Sequence, residues 1–490
     1  MYSADSYNES IGSFYKKYPY FAQLSPTLCR CEGQSSSFLK FVGKKPITKN
    51  NYFSLVFIFF LKILRDIIYT LYAKKFDQKL FSNKKILVFS FFDSRSNNNG
   101  TLKEEYFREI LENNANVVCI YKLITPKFLR GLNYINTLQN LKKNHYGVSE
   151  YSFFNLKIIF KSIFLSIKFF FVLQKIKSKI QLDTKLKKII LREVYREIFG
   201  GIIYQSYSSK LLYEKLLINK PILILSVWEN QPWNRILESV KKVVSPHTLS
   251  RGFQHTGFSK KLLQHFPSKF EINLDSYPDE ILCNGKINKD ALEKFYPNID
   301  VRIASALRQN NLNLNSLSKL QNLDKNKLKD IAFAFSWDEN SYAKILKELE
   351  QVPKEINIYL KFHPNYPHWK DRSNFQSNFI NCNLSWEALS KICPLVLVND
   401  NSIMFESFFY GMHSIIYEDY DLADLEKRDF QSPILHIDKS HLKKINSLEL
   451  IDLINISTKS VLESNYLIDY FNFLDIDSSR KIFLELNELK

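Results

Sequence analysis

Residues 84–92 read KKILVFSFF and residues 116–121 read NVVCIY. Each is a short, continuous apolar run rich in β-branched and aromatic side chains, as in strands buried on both faces of a parallel sheet. Between them runs a polar loop from Asp93 to Gly100. A helical spacing of Tyr106, Phe107, Ile110 and Leu111 then begins at Lys103. Strand, helix, strand in that order predicts a βαβ unit. The alternation resumes with a helix over 205–218, a strand at 221–226 (PILILS) and a helix over 232–243. A strand at 248–255 and a short one at 280–285 follow. After a Lys-, Asn- and Leu-rich stretch at 309–328, a second set begins. Its strands are 330–336, 355–362, 395–398 and 413–417, with helices over 339–351 and 402–411 between them.

The expectation is an α/β chain with two Rossmann-like domains facing a cleft. Residues 1–80 are an N-terminal tail with an apolar helix, and 81–308 a first domain. Residues 309–328 are a linker, 329–455 a second domain and 456–490 a helical tail. The 490 residues, 45% apolar and 24% charged, suit a globular protein with a real core. With only 12 glycines there is no G-x-G, which excludes a Gly-rich dinucleotide fingerprint. The segment Gly252 to Gly257 fails as a P-loop because Phe258 stands where the lysine belongs. The six cysteines are scattered, so reduced thiols and a cytoplasmic location are expected. The N-terminus has neither the basic region nor the apolar core of a signal peptide.

Charge is one-sided. Residues 1–200 hold 33 Lys and Arg against 14 Asp and Glu, whereas 201–490 hold 35 against 36. The net +18 therefore comes from the first part, which points to an anionic partner. Residues 52–61 (YFSLVFIFFL) are too short an apolar run to span a bilayer. Between 151 and 180, Lys157, Lys161, Lys168 and Lys175 form one helical stripe among Phe, Ile and Leu. Nine lysines and one acid lie between 157 and 188. A spanning helix does not carry lysines through its middle, whereas an interfacial one does. The expected partner of 151–190 is the anionic inner face of the cytoplasmic membrane. A core helix with a solvated lysine edge has the same pattern.

Three strand ends carry chemistry. At 252–261 (GFQHTGFSKK), His255 ends a strand ahead of hydroxyls and lysines, where it suits a general base or a charge stabiliser. At 361–364 (KFHP), Lys361 and His363 close a strand, and Pro364 stops it and starts a helix aimed at an anion. At 399–406 (NDNSIMFE), Asn401 precedes Ser402, which reads as a helix cap, and Glu406 lies one turn on, placed to accept from ribose hydroxyls. A plain capped helix and a loop histidine are the bland alternatives. In 227–233 (VWENQPW), Glu229 is a candidate base and Trp228 or Trp233 a sugar platform, with core packing the alternative. The D-x-D at 419–421 is short enough to be chance, and no metal is called for.

Together these motifs resemble the GT-B superfamily of glycosyltransferases. K-x-H-P at 361–364 and S-x-x-x-E at 402–406 resemble two motifs of bacterial polysialyltransferases, capsule Kdo transferases and teichoic-acid glycerophosphotransferases. The segment H-T-G-F-S-K from His255 resembles the histidine loop of the last of these. Asn401 stands where the polysialyl pattern has a second serine. The resemblance spans about residues 84–430. It implies that His363, Pro364, Ser402, Glu406, Lys361 and Asn401 hold a nucleotide-activated donor, CMP-linked first and UDP-linked next. His255 and Glu229 are then the catalytic pair. No cofactor is held permanently. The acceptor is a growing or lipid-linked surface polysaccharide, and the enzyme sits peripherally on the membrane. The alternatives are a CDP-glycerol or polyol phosphotransferase on the same fold and a non-catalytic basic protein binding nucleic acid or membrane. No nucleic-acid module is visible, so nucleic acid is not expected.

Overall fold

The computed structural model describes residues 4–31, 40, 51–76, 84–92, 97–98, 101–102, 106–111, 116–124, 128–140, 147–255, 263–271, 276–309, 328–336, 339–363, 376–399, 402–417 and 433–484, with a few isolated positions between them. The chain divides into two compact units. Unit 1 is residues 1–284, 288–307 and 474–490, and unit 2 is residues 285–287 and 308–473.

Unit 1 is built on seven parallel strands: β1 (Ile86–Phe92), β2 (Val117–Leu123), β3 (Gly147–Ser149), β4 (Leu223–Val227), β5 (Leu249–Gln254), β6 (Glu280–Cys283) and β7 (Asp300–Ile303), in the spatial order β3-β2-β1-β4-β5-β6-β7. The order reverses between β1 and β4. Unit 2 repeats the scheme with β8 (Asp330–Ala334), β9 (Asn357–Lys361), β10 (Phe379–Asn381), β11 (Leu395–Val398), β12 (His413–Tyr417) and β13 (His436–Ile437), ordered β10-β9-β8-β11-β12-β13 and all parallel. Its reversal falls between β8 and β11. Both sheets are therefore Rossmann-like, and open sheets of this kind take ligands beyond the carboxyl ends of the strands at the reversal. Every residue of β1 and of β11 is buried, as strands covered by helices on both faces must be.

The longer helices of unit 1 ahead of residue 250 are α1 (Ala4–Lys17), α2 (Tyr52–Tyr72), α3 (Phe128–Asn140), α4 (Leu156–Ile176), α5 (Thr184–Phe199), α6 (Ile202–Leu217) and α7 (Pro232–Val244). α6 is buried nearly all round, with Tyr204, Leu212 and Leu216 almost fully covered, so it forms the inner member of a helical layer with α2, α4 and α5. In unit 2, α8 (Tyr342–Leu349) and α9 (Leu448–Glu463) cover the sheet. His413 Nδ1 lies 2.8 Å from Thr458 Oγ1 and ties β12 to α9.

The N-terminal end departs from the expectation. The N-terminal segment is not a loose tail. Tyr7, Ile11 and Tyr15, spaced one helical turn apart, are buried. Arg30 reaches Glu271 at 2.7 Å, and Arg235 reaches it at 2.9 Å, all three fully buried. Polar neighbours such as Asn8, Glu9 and Ser10 disguise that spacing in the sequence. The expected C-terminal helical tail is helical over its last described residues, which belong to unit 1. The helix α10 (Ile476–Leu484) packs on unit 1, where Phe483 is fully buried against Phe253 and Phe107. Covering such a ring contributes about 2–3 kcal/mol. The helix expected from Lys103 is described only over Arg108–Leu111.

Candidate active site

In unit 1 the parallel register decides what meets. Val227 of β4 pairs with Phe253 of β5, so the chain two residues further on sets Glu229 beside His255. Glu229 Oε1 lies 3.4 Å from His255 Nε2. The Gln231 side chain donates from Nε2 to Glu229 Oε2 at 2.5 Å. The carboxylate keeps 23% of its surface, whereas the imidazole keeps 2%. The pair is therefore asymmetric. Glu229 faces outward, and His255 stands behind it with the Tyr106 ring packed edge-on at 4.6 Å.

The turn carrying Glu229 is braced from below. Asn230 adopts a left-handed φ of 52°, a conformation that Asn tolerates better than most side chains. Its amide donates to the Gln264 carbonyl at 2.6 Å, and its Oδ1 accepts from Arg235 Nε at 3.0 Å. Asn234 Oδ1 accepts from the Gln231 backbone N–H at 3.2 Å, and its Nδ2 donates to the Val227 carbonyl at 2.9 Å. Below, burial alone would raise the Glu271 carboxyl, but Arg30 and Arg235 outweigh it and hold its pKa at about 2. Burial keeps neighbouring His265 neutral, lowering its pKa to about 4.

For Trp228 and Trp233 the core-packing reading holds. Trp228 and Trp233 are not sugar platforms. Trp228 is 1% and Trp233 7% exposed. Trp228 packs against Tyr296 and so close to Gly252 that a Cβ there would meet it at 2.9 Å. Trp233 sits edge-on to Phe91. Both rings fill space beneath the strand ends.

In unit 2 His363 follows β9. Phe362 stacks on Phe335 with ring centroids 4.6 Å apart, and Tyr342 and Trp369 join the cluster, so the chain is anchored where His363 leaves it half-buried. Lys361 points elsewhere: its ammonium bonds the Leu384 carbonyl and lies 5.0 Å from the centre of the Trp386 ring. Ser402 follows β11, but it does not cap a helix. It is itself helical, its side chain makes no cap bond, and the α-helix after it is Ile403–Glu406, continuing as a tighter turn over Ser407–Tyr410. Glu406 Oε1 accepts from Gln309 Nε2 at 3.1 Å.

Between β9 and β11 runs β8, so the ends bearing His363 and Ser402 are two strand spacings apart, about 10 Å. Asn399, immediately after β11 and beside the reversal, is 1% exposed, and among the described residues its Nδ2 has no hydrogen-bond partner. The sequence reading passed over Asn399 as a site residue, as it did Gln231 and Asn230. Their only signal was position after a strand. Pro364, Asn401 and the D-x-D at 419–421 lie outside the described residues, as does 256–262. Among the described residues no group of three or more His, Cys, Asp or Glu is placed to hold a metal ion.

No family model matches this chain, and no curated protein matches it either. Among solved structures it is similar to the UDP-GlcNAc 2-epimerase of Methanocaldococcus jannaschii in complex with UDP-GlcNAc and UDP, at 12% identity and a TM-score of 0.39, covering 81% of this chain and 98% of that one. It is similar to the wall teichoic acid polymerase TagF at 11% identity and 0.39, covering 89% and 97%. It is also similar to the calicheamicin glycosyltransferase CalG4 at 8% identity and 0.40, covering 78% and 95%. Likenesses this distant leave the chemistry to this chain's own residues.

Proposed function

We propose that the protein is a metal-independent glycosyltransferase that moves a sugar from a nucleotide-activated donor, CMP-linked first and UDP-linked next, to a growing or lipid-linked surface polysaccharide at the inner face of the cytoplasmic membrane. The observation that carries this reading is Glu229 held between Gln231 and His255 at the carboxyl ends of β4 and β5. A partly exposed carboxylate backed by a buried imidazole has the layout of a general base with a positioning partner. In this reading Glu229 takes the proton from the acceptor hydroxyl. The freed oxygen attacks the anomeric carbon, the bond from that carbon to the phosphate oxygen breaks, and the nucleotide leaves with its phosphate. His255 orients Glu229.

Unit 2 holds the donor. His363 and Ser402 flank the end of β8, and Asn399 offers a buried donor at the reversal, where a phosphate or base oxygen would satisfy it. Positioning and charge stabilisation then do most of the work.

A second reading on the same fold is a CDP-polyol phosphotransferase, favoured by the H-T-G-F-S-K run from His255. Donors labelled in the sugar or in the β-phosphate separate the two. Label from the sugar alone reaching product supports glycosyl transfer, and passage of the β-phosphate label supports the phosphotransferase. Absence of turnover with every donor, alongside a folded protein, contradicts both.

A further inference from the structure

Two helices of unit 1 turn the wrong side to solvent. On α2, Phe53, Phe57 and Phe60 are 85%, 59% and 61% exposed. The charges of the same helix face inward. Asp66 is 3% exposed and accepts from the hydroxyls of Tyr151 at 2.8 Å and Tyr204 at 3.1 Å, and Arg65 reaches it at 2.8 Å. A helix facing water places these groups the other way round. On α4, Phe160, Phe164 and Phe171 are 61%, 66% and 58% exposed. Helical geometry puts those three rings within about 40° of one another and Lys157, Lys161, Lys168 and Lys175 within about 40° in the adjoining stripe. The protein-facing stripe of α4 is Ile159, Ser162, Ser166, Phe169 and Leu173. α2 packs against α4, so the two helices that carry exposed rings are neighbours. No helix among the described residues is long and apolar enough to cross a membrane.

Exposed apolar area of this extent marks an interaction surface. The lysine stripe decides the occupant. A second copy of the chain brings like charges together, whereas an anionic bilayer offers acyl chains to the rings and phosphates to ammonium groups on flexible stems. We propose that α2 and α4 together form a docking face that lies in the interface of an anionic lipid bilayer, phenyl rings in the acyl boundary and lysines at the headgroups. The proposal deepens the membrane part of the proposed function and rests on that reading for its purpose.

The test is co-sedimentation of the full chain with phosphatidylcholine vesicles, with and without phosphatidylglycerol. The wild type is expected to bind only the anionic vesicles. Replacing Lys157, Lys161, Lys168 and Lys175 by Gln is expected to weaken binding roughly a hundredfold or more. Phe57→Ser, Phe60→Ser and Phe164→Ser combined is expected to weaken it at least tenfold with an unchanged melting temperature. Failure of the wild type to bind anionic vesicles overturns the proposal, as does undiminished binding by either variant. So does a dimer in solution that the Phe variant dissolves, or a preference for duplex DNA over vesicles. A nucleotide-induced melting shift, measured on the same samples, keeps the two readings apart. Lost vesicle binding with the shift retained overturns the docking face alone. Retained vesicle binding with no shift overturns the transferase reading alone.

Discussion

The strand ends of the two units differ in what their polar groups meet. In unit 1 charged and amide groups pair with one another, Glu229 with Gln231 and His255, Asn230 with Arg235, and Arg30 and Arg235 with Glu271, while the buried Gln254 amide that ends β5 has no hydrogen-bond partner among the described residues. In unit 2 the Asn399 amide donor has no partner among the described residues, Ser402 caps nothing, and Glu406 meets Gln309. An unmatched buried donor costs about 1–3 kcal/mol. The proposed function draws on that contrast: it takes the paired Glu229 of unit 1 as the reactive group and the Asn399 position of unit 2 as the place that a ligand would complete.

The largest expected effect breaks the preassembled side. Arg235→Ala leaves Glu271 short of one of its two cations and Asn230 Oδ1 without the donor that holds it. Unfolding by urea should show a loss of about 3–5 kcal/mol. A loss below about 1 kcal/mol would mean that the turn stands without its buried charges. Next, Glu229→Gln keeps the shape and removes the basic oxygen. Turnover should fall roughly 100- to 10,000-fold with stability held. His255→Ala should lower kcat more than it changes KM, because a positioning residue acts through Glu229.

The pH response also belongs to unit 1. Burial pushes Glu197 up to about 7 although Ser25 and Thr27 donate to it, and burial pushes Glu238 up to about 7 against Lys241. A carboxyl raised in the folded state adds stability below its unfolded pKa and loses it as pH rises through 7. Glu271, held at about 2, adds stability above its unfolded pKa and loses it as pH falls toward 2. The melting temperature should therefore peak near pH 5 and decline toward pH 8. Glu197→Gln should flatten the decline, by an amount of order 1–3 kcal/mol. A smaller effect sharpens the unit 2 side. Asn399→Ala should weaken nucleotide binding about tenfold, the value of one hydrogen bond, while leaving unfolding unchanged or raising stability slightly. The smallest is Ser402→Ala, which should cost under about 0.5 kcal/mol of stability because no cap is lost.

Much of the fold is legible because buried parallel strands write themselves as apolar runs, as at 86–92 and 395–398. Strand order is not written locally. Without it the spacing of Glu229 and His255, 26 positions apart, has no meaning. With β4 beside β5 that spacing becomes the pairing of Val227 with Phe253 carried two residues further. The bracing charges stay hidden for the same reason, since Arg30 and Glu271 are separated by 241 positions. Trp228 stays ambiguous in the sequence because a tryptophan after a strand looks alike whether it stacks on a sugar or fills the core. Ser402 misleads because a serine before an apolar stretch reads as a cap, whereas the chain here is already helical at that residue.

The most direct measurement of the central claim is the melting temperature of the full chain with saturating CMP, CDP, UDP, GDP or ADP. A ligand at a hundred times its Kd stabilises by about 2.7 kcal/mol, enough to move the transition by several degrees. The account predicts a shift with one pyrimidine nucleotide, reduced in His363→Ala and in Asn399→Ala and unchanged in Glu229→Gln. No shift with any of the five, or a shift that both unit 2 substitutions leave intact, would contradict it.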